Sequence, residues 1–177
     1  GADWSFVDVG QDPDYAITPP KGENPFATDY PSAAAYFEDR LALAGTLANP
    51  ATLRLSATGD YLNFDERLIP LAEEALEYEL VSRKQESIKT MVALDQLLIG
   101  TGSSVWAFGG SGGEALAPGT TPRARVQVEV GSNGLPFIVI GRSALYCRNK
   151  GRGVRSLTPG GGGDWESADL SVISSHL

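Results

Sequence analysis

The sequence holds one cysteine, one histidine and one methionine in 177 residues. A single cysteine excludes a disulfide within the chain, and Cys and His together are too few for a zinc site of the usual four-ligand type. No metal or other cofactor is expected. Basic residues are short as well: 14 Lys and Arg stand against 22 Asp and Glu, a net charge of −8. Proteins that clamp nucleic acid by its phosphates are normally basic, so tight DNA binding is not expected. No apolar run approaches the roughly 18 residues that cross a bilayer as a helix. Neither a signal peptide nor membrane insertion of this stretch is expected.

Turn residues are abundant. The 21 Gly and 11 Pro interrupt short apolar runs, which favours many short strands over long helices. A hydrophobic share of 42% against 20% charged residues is enough for a packed core.

From residue 30 onward the runs read as strands. "AAAYF" and "RLALAGT" flank Glu38-Asp39, which suits a tight hairpin. "ATLRLS" alternates, with Leu53 and Leu55 on one face and Arg54 on the other. "LEYEL" sets Leu76, Tyr78 and Leu80 against Glu77 and Glu79. "IKTMVAL", "QLLIGT" and "SVWAF" follow, and "RVQVEV" points Val126, Val128 and Val130 inward. "PFIVI" and "SALYC" bracket Gly141-Arg142, and "GVRSL" follows the turn at Lys150-Gly151. Cys147, inside "SALYC", reads as a buried strand cysteine. Helix signals are confined to a turn near Pro70 and to "DLSVISSHL", read as a short C-terminal helix capped by Asp169.

Residues 1–29 differ from the rest. They are proline-rich and irregular, with one strand expected near Trp4–Val9. Trp4, Phe6, Tyr15 and Phe26 argue for an extended strap docked on a neighbour, because free tails rarely carry so many aromatics. Residues 30–177 then form one mostly β domain. Its strands fall into groups at about 32–68, 75–110 and 124–160, each ending near a Gly-rich turn. A period of roughly 40 residues suggests antiparallel blades of a partial β-propeller, with a β-sandwich as the alternative. Three blades do not close a ring of at least ~4, so open edges must be covered by further chain or by other copies.

Catalytic patterns are missing. Asp65, Glu66, Glu73 and Glu74 are near in sequence, and a glycosidase needs two carboxylates flanking one bond. Carboxylates on a loop of an acidic chain are usually solvated. "FGGSGG" and "PGGGG" lack the Lys-Ser/Thr of a phosphate loop. His176 lacks the Ser and Asp partners of a nucleophile triad and reads as surface. No enzyme is expected.

The run "NPFATDYPSAAAYFEDRLALAGTLANPATLRLSATGDYLNF" resembles the tail tubular protein B family, the tail nozzle proteins of short-tailed bacteriophages. The resemblance rests on a Tyr-Pro-Ser start, an aromatic strand, Arg-Leu, a Gly-Thr turn, Asn-Pro, then Gly-Asp-Tyr and Asn-Phe. "SRKQESIKTMVALDQLLIGTGSSVWAF", "GLPFIVIGRSALYCRNKGRGVRSL" and "DLSVISSHL" are similar to later parts of that family, in order. It implies a propeller-containing structural subunit of the virion, made in the host bacterial cytoplasm. In the family six copies form a nozzle beneath an adaptor ring, with fibres or spikes outside and double-stranded DNA passing through the lumen. Family members are several times longer than this chain. The family offers no catalytic residues.

The structural motif expected from the residues comprises Arg40, Asp60, Tyr61, Phe64 and Trp106. Arg40 either pairs with a carboxylate such as Asp60 or Asp65, tying blade to blade, or stands as a solvated strand end. Tyr61 and Phe64 are expected in the seam between blades, and Trp106 in the core. Arg148, Lys150, Arg152 and Arg155 crowd one hairpin tip. They are the candidates for a phosphate contact or for a salt bridge to a neighbouring subunit. The competing function is a stand-alone carbohydrate-binding or glycan-cleaving propeller. That reading calls for exposed Trp or Tyr beside carboxylates.

Overall fold

The computed structural model describes residues 25–26, 28–65, 71–81, 86–110, 115–120, 122–150 and 153–172. These form twelve strands: β1 (Ala33–Phe37), β2 (Arg40–Ala44), β3 (Thr52–Leu55), β4 (Leu76–Glu79), β5 (Ile88–Ala93), β6 (Leu97–Thr101), β7 (Val105–Gly109), β8 (Arg123–Val128), β9 (Ile138–Ile140), β10 (Ser143–Cys147), β11 (Val154–Pro159) and β12 (Trp165–Asp169). They make three four-stranded antiparallel sheets, each a simple meander: β1–β4, β5–β8 and β9–β12. Among the described residues no sheet closes on itself, and the sole helical element is a 3-10 turn at Gly161–Gly163.

The sheets stack face to face. Along β6 and β7 the side chains alternate between two cores, as period-two geometry requires. Leu97, Ile99, Trp106 and Phe108 pack against Phe37, Ala42, Leu53 and Leu55 of the first sheet. Leu98, Val105 and Ala107 pack against Ala144, Tyr146, Leu157 and Trp165 of the third. The second sheet is therefore covered on both sides, which is why every residue of β6 and β7 is buried. Burying each large apolar side chain contributes roughly 1.5–3 kcal/mol, so these two strands anchor the molecule. β1 lies beside β5, and β12 beside β8.

Several sequence expectations shift. "LEYEL" is the last strand of the first sheet, not the start of the second group, so each unit runs one strand further than the turn spacing suggested. In β8, Trp106 pairs with Val126 and Val105 with Val128, which leaves Gln127 as a bulge. The bulge breaks the alternation. Val126 is exposed instead of inward, Val128 packs on the second core, and Gln127 Oε1 accepts the Trp165 N–H at 2.7 Å. Asp169 closes β12 and Leu170–Val172 form a turn, while the rest of the expected C-terminal helix, residues 173–177, lies outside the described residues. Cys147 is half-buried in β10. The strand expected at Trp4–Val9, most of the strap, Pro70, Glu66, Arg152 and His176 lie outside the described residues.

Candidate functional site

The β1–β2 hairpin turns on two residues with positive φ, Glu38 (47°) and Asp39 (56°). That is the two-residue turn whose twist matches antiparallel strands. Neither residue is glycine, so the turn carries side chains, and both are used. Glu38 Oε2 accepts the Leu116 N–H at 2.7 Å. Asp39 Oδ1 accepts the Tyr61 hydroxyl at 2.8 Å, and its carbonyl accepts Gly59 N–H at 2.9 Å.

Arg40 follows directly and is 1% exposed. It does not pair with Asp60 or Asp65. Its Nη1 donates to the carbonyls of Ser56 (2.7 Å) and Glu74 (2.5 Å), and its Nη2 to those of Ala72 (3.2 Å) and Leu116 (3.4 Å). A planar fork of donors suits several carbonyls arriving from different directions. Burial lowers the Arg40 pKa while the Glu38 carboxylate opposes the shift. The guanidinium stays charged at neutral pH. Together, Glu38 and Arg40 grip the N–H and C=O of Leu116, which precedes the last strand of the second sheet. Arg40 does tie sheet to sheet, but through main-chain oxygens. Sequence reasoning missed this because carbonyl partners leave no residue signature.

Tyr61 and Phe64 are not in a seam between sheets. They lie with Tyr36 and Phe26: Tyr61 meets Tyr36 edge to face at 5.2 Å, and Phe64 meets Phe26 at 5.1 Å. Phe26 also sits 5.7 Å from the Arg54 guanidinium, on the face opposite Leu53 and Leu55. Arg54 is bonded in turn to Glu77 at 2.8 Å. The outer face of the first sheet is thus lined by aromatics of its own chain. The Asp39 hydrogen bond and charge raise the Tyr61 pKa. Asp60 forms a bridge with Ala57. Trp106 is buried in the first core, with its indole N–H on Ser104 Oγ at 2.9 Å.

The basic hairpin joins β10 and β11. Arg148 and Arg155 converge on one carboxylate, with Nη1 atoms 3.8 and 3.7 Å from Asp169 Oδ2. Arg155 Nε also donates to Ser167 Oγ at 3.0 Å. Asp169 accepts Ser171 N–H and Oγ–H at 3.0 and 2.7 Å. Those two bonds, and then the arginines, hold its pKa below the usual carboxylate range. Lys150 remains exposed at the tip with φ of 55°. Two of the expected cations are therefore committed within the chain.

A cavity of about 310 Å³ lies between the first sheet and the segment before β8, lined by Leu55, Leu76, Tyr78, Phe108, Leu116 and Pro122. It is at the small end of ligand pockets and has few converging polar groups. Among the described residues no helix is long and apolar enough to cross a membrane.

No protein-family model matches this chain, and no curated protein matches it either.

Proposed function

We propose that the chain is a structural part of a phage tail nozzle, its three sheets acting as successive blades of a propeller-like array. The observation that carries this reading is the face-to-face stack of consecutive four-stranded meanders. Successive four-stranded units packed face to face are how propeller blades bury their apolar faces. The resemblance of the 24–64 stretch to tail nozzle proteins supplies the biological setting. On this reading the partners are further copies in a ring, an adaptor ring above, and fibres or spikes outside, with the virion as location. DNA passes through transiently, and an acidic wall favours passage over capture. No catalysis is assigned. Gold-labelled antibody against residues 30–172 should decorate the tail tip of purified particles. Decoration of capsids only, or of none, overturns the proposal.

One observation favours the carbohydrate reading: Tyr36 and Tyr61 are exposed, in contact, and next to Asp39. Aromatic faces beside a carboxylate suit a sugar ring. A glycan array separates the two, since saccharide binding lost in Tyr36→Ala would support the module.

A further inference from the structure

Edge strands expose unpaired N–H and C=O groups, and proteins defend them with charge or cover. Among the described residues, five of the six edges are defended. β1 lies beside β5. β4 carries Glu77 and Glu79, β5 carries Lys89, β8 carries Arg123 and Arg125, and β12 carries Glu166 and Asp169. β9 is different: its sequence is Ile-Val-Ile, and Ile138, Val139 and Ile140 are 62%, 44% and 60% exposed. Among the described residues it pairs only with β10, through Ile138–Leu145, Val139–Ala144 and Ile140–Ser143.

We propose that β9 accepts the Trp4–Val9 segment of a neighbouring copy as a fifth strand of the third sheet. Three observations select this occupant. The sequence WSFVDV is apolar on both faces of an extended strand, with Trp4 and Phe6 on one side and Val7 and Val9 on the other. β9 likewise exposes apolar side chains on both faces. The chain reaches the described fold at Phe26 on the outer face of the first sheet, the far end of the stack from β9. A neighbour stacked head to tail brings its third sheet to that end. The 17 residue steps from Val9 to Phe26 span up to about 56 Å when extended, well beyond one sheet spacing of about 10 Å. Main-chain bonds would give the affinity and the alternating side chains the specificity. The contact is heterologous, so it builds rings or tubes rather than closed pairs. It stands independently of the tail assignment.

Sedimentation velocity on three proteins tests it: the full chain, a deletion of residues 1–9, and the double variant Ile138→Lys/Ile140→Lys. Circular dichroism confirms that each is folded. The full chain should form species larger than a monomer, and each variant alone should be monomeric. An equal mixture of the two variants should form a one-to-one complex, because one retains the edge and the other the strand. A fluorescent peptide of residues 1–12 should bind the deletion, and should fail to bind a deletion that also carries Ile140→Lys. A monomeric full chain, self-association by the deletion alone, a mixture that stays monomeric, or a peptide that does not bind overturns the proposal.

Discussion

At the scale of single residues, Arg40 shows how a buried charge organises a fold without a carboxylate hydrogen bond. Among the described residues its four hydrogen bonds all go to carbonyls, from three separate segments. Replacing it with alanine strands those buried acceptors. At about 1–3 kcal/mol for each unmet buried group, Arg40→Ala should cost about 3 kcal/mol or more. For a chain of this size that lowers Tm by roughly 6–12 °C. Arg40→Lys should recover only part, because an ammonium cannot reach all four oxygens. Differential scanning calorimetry on the three proteins checks both statements. Asp169 gives a pH prediction. Its native pKa is depressed, as is that of Asp29, whose carboxylate accepts the N–H groups of Ala48 and Leu47. The stability these groups supply is complete above the unfolded value of about 3.9 and is lost as pH falls through the lower native values. The urea midpoint should therefore fall below about pH 4. Asp169→Asn should lower the midpoint at pH 7 and flatten that fall.

At the scale of elements, the strands were legible because turn residues and period-two alternation are local signals. Glu38-Asp39 marked its hairpin, and Leu53 and Leu55 marked their face. The failures share one cause, which is tertiary context. The Gln127 bulge depends on a partner strand distant in sequence, so Val126 looked inward. β12 hid behind a glycine run and contains Glu166, Ser167 and Ala168, which have no strand signature of their own. The site was less legible than the fold: Arg40 was picked out, but its partners are main-chain atoms, and Tyr61 and Phe64 were assigned to the wrong surface. One glycine carries an element-scale prediction. Gly45 ends β2 with φ of 73°, and a Cβ there would meet the Ile88 carbonyl oxygen of β5. Gly45→Ala should cost about 2 kcal/mol or more, through strain and through displacement of the first sheet from the second. Urea unfolding would measure it.

At the scale of the whole molecule, the stack has two unlike ends. The first sheet's outer face is lined by Phe26, Tyr36, Tyr61 and Phe64, whereas the third sheet ends in an uncharged, exposed edge strand. Such polarity suits a chain that continues into a neighbour in one direction, the heterologous contact proposed above. Hydrogen exchange, on the monomeric deletion of residues 1–9 and on the associated full chain, tests this most directly. The amides of β6 and β7 should be strongly protected in both states, because both faces of that sheet are covered. The amides of β9 should exchange fast in the deletion and at least about tenfold more slowly in the associated full chain, a difference of roughly 1.4 kcal/mol in opening free energy. Equal exchange at β9 in the two states would contradict the account.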